Sequence, residues 1–206
     1  MATNRQREKE VIIIKKIHII SEKVVFDDKF KVLETRLQFE KFNGPMSPPV
    51  RRLTFERGDA AAALLWHRDR QRLLLVEQFR CPTYKKGPGW IIETVAGMVK
   101  PDEAPEAAMR REILEETGYQ VRELEYLATF YLSPGGSSER LFLYYAEVSQ
   151  ADLMAAGGGA AGEHEDIRLV EYTASEMEAA LDRGEIVDAK TLVALQWWQL
   201  RNSDED

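Results

Sequence analysis

The first half of the chain sets apolar against polar positions in short runs. Residues 11–20 (VIIIKKIHII) and 31–42 (KVLETRLQFEKF) carry β-branched and aromatic side chains with partial period-two spacing, which predicts strands. The polar FDDK at 26–29 and Asn43-Gly44-Pro45 read as turns, and a second strand-rich segment follows MSPPVRRLTFERG. Segments 60–66 and 73–78 flank the polar HRDRQR as the arms of a hairpin. KKGPGW (85–90) is a loop and IIETVAG (91–97) a short strand ending in glycine. The first clear helix spans about 104–117, with Pro105 in its first turn and Gly118 as its stop. Strands return at 124–132 and 141–148, and AAGGGAAG (155–162) reads as a mobile connector. Thr173 with Glu176 forms a capping box for a helix to about Arg183, and Asp188 caps a last helix, AKTLVALQWWQL. The order is α+β, with a strand-rich segment at 1–57 before a main domain at 58–206.

Composition narrows the class. The chain has 206 residues, 44% hydrophobic and 31% charged, as in soluble globular proteins. No apolar run reaches the roughly 18–20 residues of a membrane span; residues 11–20 are interrupted by Lys15, Lys16 and His18. The N-terminal MATNRQREKE lacks the apolar core of a signal peptide and reads as a frayed tail. A lone cysteine, Cys81, excludes an internal disulfide framework and fits a reducing cytoplasm. None of the three histidines, His18, His67 and His164, adjoins it in sequence, so a structural cysteine is the better reading than a nucleophile. The net charge of −7 argues against a general nucleic-acid binder. An anionic substrate would need a local source of positive charge.

That requirement focuses attention on RREILEETG, residues 110–118. Glu112, Glu115 and Glu116 fall with Ala108 on one arc of a helix, bordered by Met109 and Ile113 on one side and Ala107 and Leu114 on the other. Like charges at i,i+4 cost roughly 0.2–0.5 kcal/mol per pair. One reading is a solvated face eased by an Arg111–Glu115 pair. The other is a divalent cation among the carboxylates, since Mg²⁺ takes oxygen ligands, often one or two carboxylates plus substrate phosphate. The wider spacing favours the second. Gly97 is followed after five residues by Glu103, then after seven by Arg111-Glu112, an aliphatic residue, Glu115-Glu116 and Gly118. Seven fixed positions at roughly 7% usage each give a chance match on the order of one in a million for a chain of this length.

This G-x5-E-x7-R-E-(aliphatic)-x-E-E-x-G segment resembles the Nudix box of the Nudix hydrolases. The one departure is Tyr119, where the box usually ends in an aliphatic residue, a change expected to alter packing and not chemistry. The resemblance implies an α/β/α sandwich around a mixed β-sheet. It also implies hydrolysis of a nucleoside diphosphate linked to another group, with two to three Mg²⁺ (or Mn²⁺) ions. By position, Glu112 and Glu116 would be the main metal ligands, Glu115 a further contact, and the Ala96 carbonyl another. Arg111 would orient the glutamates.

Features outside the box are similar to the ADP-ribose pyrophosphatase branch. They are ETVAG before the box, Pro134 in LSPGGSSER, and VEQFR, whose Arg80 would contact the diphosphate. A guanidinium suits phosphate oxygens, although Arg80 could also be a surface partner of Glu77. Glu139, in the same SSER stretch, would be a further substrate contact. In GEHEDIRL the resemblance implies Glu163 as general base and Glu165 as metal ligand. The N-terminal segment is similar to the part through which this branch forms homodimers. Arg52 matches a residue that packs on the nucleobase from the partner, and the branch's stacking phenylalanine is replaced by Lys29, leaving Phe30 or Phe26 to stack. The expected activity is ADP-ribose hydrolysis to AMP and ribose 5-phosphate in the cytoplasm. GDP-mannose or another nucleotide sugar is the alternative, and a non-catalytic nucleotide-sensing module a remote one. Neither nucleic acid nor membrane is an expected partner.

Overall fold

The structure, a computed structural model, describes residues 15–159 and 166–203. The chain divides into two compact units between Glu56 and Arg57. The N-terminal unit is an antiparallel meander of β1 (Ile17–Asp27), β2 (Lys31–Phe39) and β3 (Val50–Glu56). Of the expected strand at 11–20, residues 11–14 lie outside the described residues; the strand begins at Ile17 and runs through Phe26 and Asp27, which the polar composition had placed in a turn. The reversal falls one step on, where Asp28 N–H donates to the Phe30 carbonyl and the Asp28 side chain accepts from Lys29 N–H. Irregular pairing at Ile19/Ser21 and Val24/Phe26 explains the imperfect alternation, because each bulge swaps the faces that successive side chains occupy.

The second unit holds β4 (Ala60–His67), β5 (Arg72–Phe79), β6 (Trp90–Glu93), β7 (Val95–Met98), α1 (Pro105–Thr117), β8 (Glu125–Tyr131), β9 (Arg140–Val148), β10 (Ile167–Tyr172), α2 (Ala174–Asp182) and α3 (Ala189–Ser203). Its seven-stranded sheet runs β10-β5-β4-β9-β8, with β6 paired to β5 and β7 to β4. Only the β4–β9 pairing is parallel, so the sheet is mixed.

The central strands lack a polar face because both faces are covered. Ala61, Ala63, Leu65, Leu74 and Val76 pack with Met109 and Ile113 of α1. The alternate set, Ala60, Ala62, Leu64, Leu73 and Leu75, packs with Met177 and Ala180 of α2 and with Ala194 and Leu195 of α3. The result is the expected α/β/α sandwich. Strand β10 was not anticipated, since the sequence analysis assigned no element between the glycine-rich stretch and Thr173. Ile167 and Leu169 face one core, Val170 and Tyr172 the other. Tyr119 is buried in the α1-side core with its ring edge-on to His67, so the departure from the box pattern is absorbed by packing. Among the described residues, no helix is long and apolar enough to cross a membrane.

Candidate active site

Helix α1 starts at Pro105, whose fixed φ suits a first turn, and stops at Gly118, which adopts φ 78° and returns its N–H to the Leu114 carbonyl. Its apolar residues Ala108, Met109 and Ile113 are buried against the sheet, and this fixes where the acidic arc points. That arc is not a solvated face. Glu116 is only 5% exposed, and the Glu112 side chain 15%.

Gly97, in β7, leaves the space that the Glu112 side chain fills. A Cβ at Gly97 would lie 1.9 Å from Glu112 Cδ and 2.0 Å from its Oε1. The carboxylate therefore rests on the glycine backbone, directly beside Ala96, whose carbonyl was expected to face a metal. Strand β7 is held there by antiparallel pairing with β4, Ala96 opposite Ala62 and Gly97 opposite Ala61.

Arg111 gathers the acidic groups. Its Nη1 donates to Glu112 Oε1 at 2.6 Å and to Glu115 Oε2 at 3.2 Å, while Nε and Nη2 grip Glu103 at 3.1 and 3.0 Å. Nη2 also donates to the Met98 carbonyl at 3.2 Å, tying the helix to the strand end. Glu103 closes the preceding loop by accepting from Lys100 N–H. These bonds, Arg111 first and Lys100 next, hold the Glu103 carboxyl down to about 2. Reciprocally, the hydrogen bond to Glu103 raises the Arg111 pKa above its already high ordinary value. The Arg111–Glu115 pair read from spacing is present, but the tighter partners are Glu112 and Glu103.

Among the described residues, no group of three or more His, Cys, Asp or Glu side chains closes into a metal cage. A Mg²⁺ site need not have one, because this ion keeps several waters and takes one or two carboxylates plus substrate phosphate.

Arg80 does not pair with Glu77, which bonds Arg168 instead. Its Nε donates to Glu93 Oε1 at 2.6 Å, and Glu93 is 3% exposed. The other Glu93 oxygen accepts from Lys190, which also pairs with Asp188 at 3.0 Å. Sequence reasoning missed Lys190: nothing local in DAKTL links it to ETVAG. Glu139 is buried just before β9, its carboxyl pushed up by burial and partly brought back by Arg57, at 3.5 Å, and Lys190. Arg80, Glu93, Lys190 and Asp188 thus form one linked polar group, and Glu139 with Arg57 an ion pair of its own. Pro134 is exposed in the turn closed by Gly136 N–H and Ser137 N–H on the Ser133 carbonyl.

Arg52 belongs to the N-terminal unit, exposed on β3 opposite Thr35. There Phe30 stacks edge-on against Phe55 at 5.4 Å, with the Lys29 ammonium 5.8 Å from the Phe30 ring. Glu163 and Glu165 lie outside the described residues. Cys81 is exposed in a short 3-10 turn, Cys81–Thr83.

The Nudix domain family model matches residues 56–194. This chain belongs to the Nudix hydrolase family. The Nudix hydrolase is 38% identical over 184 residues to a GDP-mannose pyrophosphatase of Citrobacter koseri, covering 88% of this chain and 94% of that one. It is 36% identical over 189 residues to an ADP-ribose pyrophosphatase of Escherichia coli O157:H7, covering 90% of this chain and 89% of that one. The crystal structure of an ADP compounds hydrolase shares its fold, with a TM-score of 0.71 at 20% identity over 92% of this chain and 96% of that one. The chain is therefore a pyrophosphatase of the Nudix type, and members of this family use divalent metal ions.

Proposed function

We propose that this Nudix hydrolase cleaves the diphosphate of ADP-ribose to AMP and ribose 5-phosphate, using water as nucleophile and Mg²⁺ or Mn²⁺ as cofactor. The observation that carries the reading is the Glu112 carboxylate lodged where a Gly97 side chain would be, on the helix that also presents Glu115 and Glu116. Carboxylate and carbonyl oxygens are the hard donors such an ion prefers. Glu112, Glu115, Glu116 and the Ala96 carbonyl would hold it, with Glu165 completing a site for two to three ions. When bound, the metal supplies neutralisation of the diphosphate oxygens and an acidified water.

The side chains divide the remaining work. Arg111 keeps Glu112 and Glu115 in place from behind. Arg80, anchored on Glu93 through Nε and still partly exposed, would offer its guanidinium to the diphosphate oxygens. Glu139 and Pro134 border the substrate. Glu163 accepts a proton from the attacking water, the oxygen joins one phosphorus in line, and the anhydride P–O bond breaks toward the other phosphate. No covalent enzyme intermediate is required.

The N-terminal unit would pair two copies of the chain, with Arg52 of each packing on the other's nucleobase. Support comes from β1, where Ile17, Ile19, Ile20, Val24, Val25 and Phe26 are all exposed. The acidic net charge fits a small-molecule substrate and not a nucleic acid, and the exposed Cys81 thiol suits a reducing cytoplasm.

GDP-mannose is the second reading. It is favoured by the relatives of that name and by Lys29 at the position where a stacking aromatic was expected. Incubation with ADP-ribose, GDP-mannose, UDP-glucose and NADH, with and without Mg²⁺, separates the two. Metal-dependent AMP release from ADP-ribose supports the first reading, and GMP release from GDP-mannose alone supports the second. No cleavage of any of the four would sink both and leave a nucleotide-sensing module.

A further inference from the structure

The glycine-rich stretch after β9 is not a slack connector over its first part. The last carbonyls of an α-helix have no partner inside it. In α1 two of them are met from 42 and 44 residues downstream in the chain. Gly159 N–H donates to the Glu115 carbonyl at 3.0 Å, and Gly158 N–H to the Glu116 carbonyl at 2.8 Å. In return the Gly118 carbonyl accepts from Met154 N–H at 2.8 Å and Ala155 N–H at 3.2 Å. The two backbones interlock at a pair of glycines. A Cβ on Gly118 would meet the Ala155 carbonyl oxygen at 2.1 Å, and one on Gly157 would meet the Glu116 oxygen and the Thr117 carbonyl carbon, both at 2.7 Å. Gly157 also has φ 70°, a conformation that L side chains rarely adopt.

We propose that Gly157 is a positioning residue for the catalytic centre: its backbone contact fixes the last turn of α1, and with it the angle at which the Glu115 and Glu116 carboxylates meet a divalent cation. Helix ends fray unless something holds them. Both glutamates lie in the turn that would fray first. Water is a poor substitute for the glycine N–H groups, since Glu116 is 5% and Thr117 2% exposed. Gly157 touches neither cation nor substrate and acts only through the backbone of Glu116. The inference rests on the cation reading above.

The test is Mn²⁺ binding to the whole protein, read by electron paramagnetic resonance, alongside kcat and KM. Loss of a group that orients a metal ligand typically weakens the metal ~10–100-fold. Gly157→Ala is expected to weaken Mn²⁺ binding within that range and to lower kcat at fixed Mn²⁺, with KM little changed at saturating metal. Gly184→Ala is the control for backbone strain alone, because Gly184 has φ 68° but nothing within 4 Å of its Cβ position, and it should bind Mn²⁺ as the native protein does. Gly157→Ala should weaken Mn²⁺ less in a Glu116→Gln background than in the native protein, the non-additivity of residues acting partly through one group. Should Gly157→Ala fail to fold, Gly158→Ala perturbs the same contact by backbone strain without a clash, its φ being 102° while its Cβ meets nothing nearer than the Ile167 oxygen at 4.0 Å. Native Mn²⁺ affinity in the folded glycine variant, with affinity lost in Glu116→Gln, overturns this inference alone. Native affinity in Glu116→Gln overturns the cation reading and this inference with it.

Discussion

Gly97 is where a single atom decides the site. With a Cβ position 1.9 Å from Glu112 Cδ, alanine there would have to expel the carboxylate or push β7 away from α1. Either movement separates Glu112 from the Ala96 carbonyl. Gly97→Ala is therefore expected to weaken Mn²⁺ activation ~10–100-fold, while thermal unfolding shifts only modestly. Unchanged activation would mean that this contact does not set the metal geometry. From the sequence, Gly97 was only the end of a short strand and one fixed position of the spacing. The structure assigns the reason for a glycine there, the volume that Glu112 takes up. At Glu93 the spacing gave even less, since the partners that hold it, Arg80 and Lys190, lie on different elements.

At the scale of the element, α1 was the most legible part of the chain because its signals are local. Pro105, Gly118 and the glutamate spacing act within one run of backbone whose 3.6-residue period is fixed by geometry. What fastens the helix at its start is less local: Glu103 bound by Arg111 and by Lys100 N–H. This carboxyl titrates near 2 in the folded chain against an ordinary 4.5, so its stabilising contribution is complete above about 4.5 and is lost as pH falls toward about 2. Glu103→Gln should accordingly melt below the native protein at pH 6, with the gap in Tm closing as both are acidified through that window. A gap that persists unchanged at the acid end would show that the pair's charge contributes nothing. Strand β10 was illegible for a complementary reason. Its six residues follow an acidic stretch of sequence without a turn signal, and pairing with β5 makes them a strand.

For the whole molecule, the N-terminal meander is the part least able to stand alone. Every residue of β1 is exposed, including a run of apolar ones, and a small sheet needs a covered hydrophobic face. Pairing of two copies would cover it. The native protein is expected to sediment at twice the chain mass. Ile17→Glu with Ile19→Glu, on one side of β1, should reduce it to a single chain and raise KM if the partner's Arg52 contributes to binding. Sedimentation of the native protein as a single chain would refute the pairing. The charge balance and lone cysteine bounded the class of partner from composition, but which apolar positions are left uncovered became visible only in the folded chain.

The sequence by itself determined that α1 gathers its carboxylates, because carboxylates placed three and four residues apart on a helix must share a face whatever surrounds them. It also determined the central strands, whose unbroken apolar runs require cover on both sides. Tertiary structure alone decided that Glu116 is buried and not solvated, that Lys190 joins Arg80 on Glu93, and that a glycine far along the chain locks the end of the glutamate helix. Those contacts join residues distant in sequence, and close approach between distant residues is set by packing, which leaves no periodic trace in the chain.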